Sequence, residues 1–437
     1  MCRLTLILLL VATALGALPG ASVAAPSLIG QVREFEVGPG TRPQALVNGP
    51  DGNLWFAGIR YEPGQFADVV GKVTPKGKVT EFTLDSHQGN LGLSDIVVGP
   101  DGNLWFTEGG RPKVGRVTVD GQFTEFALPD PEVSPMSMAA GADGNLWFTE
   151  FRGDKVGRVS PTGEVSEIPL RDAYRIAAGP DGGLWIVSAD TIYRLSTDGS
   201  SRAFQLPDSI RYPNEIISGP DGALWFGIQS RFGAGATPGL GRITTEGEIS
   251  QVSVPGGRQT SALSSGPFED IWYSNGAGRI GWILPGVATG TPACINSCRR
   301  PITSLTEGPD GKLWFAAGVA PLEPFDAPGT VGTYAPPPLE IELVGDGRLE
   351  DGALRLPVRC PLNPAARRCI GKLRLSGQGP TVQRRLSLRI GRNRGVSLRL
   401  PEKSLRRLAA RGRLVLRAVT SVPNGREDMR RIVLHRR

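Results

Sequence analysis

Histidine is almost missing from this chain: 437 residues hold 2, His87 and His435. An imidazole base or metal ligand therefore has only two addresses. Cysteine is also scarce, with 5 in all. Cys2 lies too early to be a lipobox cysteine. Beyond residue 25 no stretch is apolar for long enough to cross a bilayer as a helix. No nucleic-acid recognition motif occurs, and nucleic acid is not expected as a partner.

What the chain has instead is a repeat. Gly-Pro-Asp-Gly-Asn-Leu-Trp-Phe stands at 49–56, and near-copies follow at 99–106, 141–148, 179–186, 219–226, 266–273 and 308–315. The starts are 50, 42, 38, 40, 47 and 42 residues apart. Short strands repeating at about 40–45 residues mark a β-propeller blade, and seven copies predict seven blades. In the second copy Asp95–Val98, Leu104–Glu108, Val114–Val119 and Phe123–Leu128 read as four strands. Asp101-Gly102 and Asp120-Gly121 supply the turns between them. The recurring Trp (55, 105, 147, 185, 225, 272, 314) is expected between neighbouring sheets. The repeated Asp (51, 101, 143, 181, 221, 310) is read as turn chemistry rather than a calcium ligand. Residues 31–37 resemble a fourth strand with no blade before it, and the seventh copy lacks one. The N-terminal strand is expected to complete the last blade and close the ring.

The ends carry different information. Residues 1–25 read as a secretory signal, with Arg3, an apolar run, then small residues ending Val23-Ala24-Ala25. The protein is expected to be secreted or held at the cell envelope. Cys294, Cys298, Cys360 and Cys369 then suggest disulfides, Cys294–Cys298 and Cys360–Cys369 by proximity; a metal at Cys294/Cys298 is the rival reading. The domain reading is a signal at 1–25, a propeller over 29–335, a Pro linker at 336–338 and a basic β-sandwich over 339–437. Residues 337–437 hold 24 Lys+Arg against 8 Asp+Glu, a net of +16, while the remainder nets −9. Strands are expected near 339–344, 353–358, 371–375, 385–390, 396–400 and 414–418, with a short helix over 401–411. The tail loosely resembles small Ig-like modules. Its charge suits a cell-wall or membrane surface, or simply a solvated face.

The phrase running through 99–129 resembles the virginiamycin B lyase (streptogramin lyase) family, over about residues 29–335. The resemblance implies a seven-bladed propeller that linearises cyclic streptogramin B antibiotics by elimination across an ester, with a bound magnesium ion. It also implies a Glu-Pro-His-Gly segment before the last blade, the His acting as base, and a second Glu just after the Trp. In this chain the first Glu falls at Pro301, the His at Thr303 and the second Glu at Ala317 or Gly318. The corresponding position, eleven residues before each Trp, holds Gln44, Ser94, Met136, Tyr174, Asn214, Ser261 and Thr303. These mixed residues at the channel mouth suit a polar small ligand or a peptide.

Three functions follow as expectations. The first is a binding propeller with no cofactor. The second is an enzyme, a magnesium-dependent carbon–oxygen lyase or another metal-dependent type. Its weak candidates are Glu108 and Glu150 as metal ligands between adjacent blades and His87, in the loop entering blade two, as base. Solvated rim residues are the alternative reading of the two glutamates. Asp95 and Glu215 lie near blade entrances as well. The third is a scaffold like NHL-repeat propellers.

Overall fold

The computed structural model describes residues 31–87, 92–210, 212–229, 239–254, 260–266, 270–275, 278–285, 288–289, 293–294, 300–319, 323 and 327–335, and in the tail 342–343, 348–350, 353–359, 368–377, 379–389, 393–411, 413–421 and 428–435. The expected signal segment and Pro linker, with Cys2, Cys298 and Cys360, lie outside these residues. Cys294 takes part in a disulfide.

Seven antiparallel sheets form the propeller. Blade 1 runs Thr41–Asn48, Leu54–Glu62, Gln65–Val73 and Val79–His87, inner strand to outer. Blade 2 repeats this with Leu93–Val98, Leu104–Glu108, Lys113–Val117 and Phe123–Ala127. In blade 7 Ile302–Glu307, Leu313–Ala317 and Thr330–Ala335 are joined by Gln31–Glu36, paired from Gln31 opposite Ala335 to Glu36 opposite Thr330. The ring is thus closed by the chain's own N-terminal strand, as the sequence predicts. Blade 6 is irregular: its outer edge is two short pairings, Ala288–Thr289 and Ala293–Cys294, on Arg279–Leu284.

Each tryptophan belongs to one blade and packs on the next. Trp55 lies among Leu93, Ile96, Leu104 and Phe106 of blade 2, and Trp314 among Leu46, Leu54 and Phe56 of blade 1. A blade cannot bury both faces alone, so this interleaved aromatic layer is what makes seven sheets one body.

The repeated corner explains its own residues. The Asp101 carboxylate accepts the Trp105 indole N–H at 3.0 Å and the Asn103 backbone N–H at 3.2 Å. The same indole bond is made to Asp51, Asp143, Asp181, Asp221 and Asp310. The Asp is therefore a turn residue that also holds the Trp. A Cβ on Gly99 would stand 2.4 Å from the Trp105 ring, so only glycine lets the ring in. Gly102 has φ 74°, the left-handed region glycine tolerates.

In the tail, one sheet joins Glu342–Leu343, Arg348–Glu350, Ala353–Arg359 and Asn393–Arg399. The other joins Arg368–Gly377, Gly379–Arg389, Arg413–Ser421 and Asp428–His435. The helix spans Glu402–Arg411, within the expected range. Sequence reading missed the strands at 348–350 and 428–435. His435 ends the last of them.

Candidate functional site

The seven inner strands surround the axis, and five of them carry a bulge near the expected channel mouth: at Pro43/Ala45, Leu93/Asp95, Pro135/Met138, Pro213/Ile216 and Ile302/Ser304. A bulge adds a residue and re-aims its neighbours. Several predicted channel-mouth residues spend their polar groups on the fold. Thr303 Oγ1 donates to the Pro43 carbonyl of blade 1 at 3.0 Å. Asn214 Nδ2 donates to the Thr260 carbonyl, and Ser261 Oγ to the Ile302 carbonyl at 3.2 Å. Thr107 and Thr149 hydroxyls donate to the carbonyls of Met136 and Tyr174. These bonds tie blade 2 to 3, 3 to 4, 5 to 6, 6 to 7 and 7 to 1. Gln44, Ser94, Met136 and Tyr174 stay partly exposed.

One residue further along each strand lies the register that sequence reasoning missed: Ala45, Asp95, Ser137, Arg175, Glu215, Ala262 and Ser304. Here the structure brings charges together. Arg175 Nε stands 3.8 Å from Glu215 Oε2, with about a third of each side chain exposed (31% and 34%). Asp95 accepts the Ser137 hydroxyl at 3.0 Å and the Met138 backbone N–H at 2.9 Å. Burial pushes the Asp95 carboxyl up, against the Met138 N–H and the Arg175 charge. Glu215 is pushed up to about 7 by burial, opposed by Arg175 and reinforced by Asp95. Arg175 and Glu215 meet across the seam of the neighbouring blades 4 and 5, while Asp95, from blade 2, acts on both from further round the ring. The facing register positions, Ala45, Ala262 and Ser304, are small. The result is a charged arc opposite open wall. Bulges lie at this register in blades 1, 2, 3, 5 and 7, while Arg175 and Ala262 reach it on unbulged strands.

Glu108 and Glu150 are neither solvated rim residues nor an inter-blade pair. Each is 1% exposed; Glu108 Oε2 lies 3.8 Å from Arg111 Nη1, with the Glu125 carboxyl beside it, and the Glu150 oxygens have no hydrogen-bond partner among the described residues. Burial pushes Glu108 up to about 8, with Glu125 adding to it, and Lys113 opposes. Burial pushes Glu150 up to about 7, with Glu167 adding and Lys155 opposing. Each glutamate lies with an acid and a lysine of its own blade: Lys113 Nζ meets Glu125 at 2.9 Å, and Lys155 Nζ meets Glu167 at 2.7 Å. A carboxylate set already interleaved with ammonium groups is poor for magnesium, which needs several hard oxygens at once. Among the described residues no three of His, Cys, Asp and Glu form a group that could hold a metal ion.

His87 is not in a loop. It ends the outer strand of blade 1, opposite Phe66, because the second and third strands there run on to Glu62 and Gln65 and carry the fourth with them. That position is at the perimeter, away from the axis. In the last blade the family's magnesium-and-base positions hold Pro301, Thr303 and Ala317, which offer neither a carboxylate nor an imidazole. The residues present do not fit the ion.

Known structures agree with the architecture. A streptogramin B lyase structure matches at TM-score 0.60 and 27% identity, covering 71% of this chain and all (100%) of that one. A catalytically inactive virginiamycin B lyase from Staphylococcus aureus, with quinupristin, matches at TM-score 0.59 and 26% identity, over 69% of this chain and 98% of that one. The extracellular domain of a hybrid two-component system from B. thetaiotaomicron matches at TM-score 0.52 over 93% of this chain and 57% of that one; at 13% identity it speaks to fold alone. No curated protein matches. The family model for the virginiamycin B lyase family matches residues 30–325. This chain belongs to the virginiamycin B lyase family.

Proposed function

We propose that the propeller is an exported binding protein that takes a polar small molecule or peptide end in its channel, and that it does not perform the lyase elimination. The observation that carries the reading is the arc of Asp95, Ser137, Arg175 and Glu215 facing small residues. A guanidinium set between two carboxylates suits a zwitterion: Arg175 takes a carboxylate, while Asp95 and Glu215 take an ammonium. Proton abstraction beside a carbonyl needs a base and a cation for the enolate. At the family's positions Thr303 has a hydroxyl already given to Pro43, and Ala317 has no polar group. The S. aureus relative is described as catalytically inactive once one histidine becomes alanine, and the position the family resemblance gives to the base is Thr303 in this chain. Export rests on residues 1–25. A magnesium-dependent carbon–oxygen lyase is the second reading, and family membership alone favours it.

The test is a thermal-shift and calorimetric screen of the mature chain against free amino acids, short peptides and quinupristin at pH 7. The reading expects a ligand whose binding drops at least tenfold in both Arg175→Ala and Glu215→Gln. A ligand bound equally well by both variants would place the site elsewhere.

A further inference from the structure

The tail's register turns its charge imbalance into a surface. In the sheet ordered 379–389, 368–377, 413–421, 428–435, neighbouring residues alternate between faces. Arg368 lies opposite Arg389, Lys372 opposite Arg385, and Arg417 opposite Arg431. Arg374 falls between, on the same face. The other face carries a leucine row that includes Leu373, Leu386 and Leu416, and Leu373 is fully buried. Leu373 marks the leucine face as the inner one; by register the seven cations and Arg413 fall on the outer face, and Arg384 and Arg430 on the leucine face. The acid in these strands, Asp428, pairs with Thr420 and shares the leucine face. Like charges directly opposite in an antiparallel pair destabilise it. Three such pairs without an acid on their face amount to a cost that a bound anion would remove.

The stripe runs from Arg368 to Arg417, eight residue steps along the strand direction, or about 27 Å. That is too long for one small ion and suits a linear one. Two compositional facts select its class. Residues 337–437 hold 22 Arg against 2 Lys, and guanidinium binds phosphate through two parallel N–H bonds. The same 101 residues contain no Phe, Trp or Tyr. They lack both the stacking platforms that single-stranded nucleic acid uses and the aromatic anchors of a bilayer interface. We infer that this face binds a linear polymer carrying a phosphate in each repeat, held through its phosphates alone. The inference stands independently of the channel reading.

Inorganic polyphosphate is the probe, with full-length mature protein and fluorescence-anisotropy competition against a single-stranded DNA oligonucleotide and phosphatidylserine vesicles. Polyphosphate should compete best, and its affinity should fall steeply with salt. An Arg385→Gln/Arg417→Gln/Arg431→Gln variant should bind at least tenfold more weakly while melting no lower than the parent. Gln383→Glu, which adds an acid beside Arg374 without removing a cation, should weaken binding in the same direction. Stronger binding to vesicles or DNA, or undiminished polyphosphate binding by both variants, would overturn the assignment.

Discussion

Two parts of the same repeat behave in opposite ways. At the Gly-Pro-Asp-Gly corner, blades repeat nearly the same residues, and the structure uses them identically: glycine admits the Trp, Asp holds its indole, and a second glycine turns the chain. Ten residues before the same Trp, the register holds Ala45, Asp95, Ser137, Arg175, Glu215, Ala262 and Ser304. The corner solves one packing problem, and six blades share the solution; in blade 6 the turn Asp is lost and the Trp272 indole N–H has no partner among the described residues. The channel register faces the axis, where each blade is free to differ. Fold is therefore encoded by what recurs, and the proposed binding register by what does not.

Four changes sharpen that contrast. Trp105→Ala removes a fully buried ring from the blade 2–3 seam and should cost about 3–5 kcal/mol in chemical unfolding. A loss below 1 kcal/mol would deny the interleaved layer its role. Glu108→Gln should act through pH. Glu108 rises from its ordinary 4.5 to about 8 on folding, so the folded state holds a proton that the unfolded state has shed. Stability contributed by this group therefore falls as pH rises from 4.5 through 8. The variant should match the parent near pH 4 and exceed it at pH 9, by about 1–3 kcal/mol. Equal stability at both pH values would show that Glu108 is not buried as an acid.

Asp101→Ala removes the indole acceptor and should cost about 1 kcal/mol, read as a lowered midpoint in urea. Arg175→Ala should leave stability within about 1 kcal/mol, since its partly exposed ion pair contributes little. It should abolish ligand binding nonetheless. With the parent, affinity for an ammonium-bearing ligand should rise as pH climbs through about 7, where Glu215 loses its proton.

The propeller was legible because its signals are local. Asp-Gly turns, the Trp period and the orphan N-terminal strand each name their own structural role. The site was only half legible. Asp95 and Glu215 are legible near the blade entrances; Ser137 is hidden by the bulge at Pro135/Met138, and Arg175, on a strand without a bulge, is hidden because nothing in the repeat marks its position. Glu108 and Glu150 misled for a related reason. Thr-Glu at a strand end reads as solvated rim, while closure of the ring buries both carboxyls. His87 misled because blade 1 has longer strands than the repeat predicts, which draws the histidine into the sheet perimeter.

The most direct test of the account is to incubate the purified mature chain with quinupristin and magnesium and follow the cyclic ester by mass spectrometry. The account predicts that quinupristin stays cyclic, with or without the ion. Linearisation that depends on magnesium would contradict it and would mean that the elimination machinery has moved to residues other than Pro301, Thr303 and Ala317.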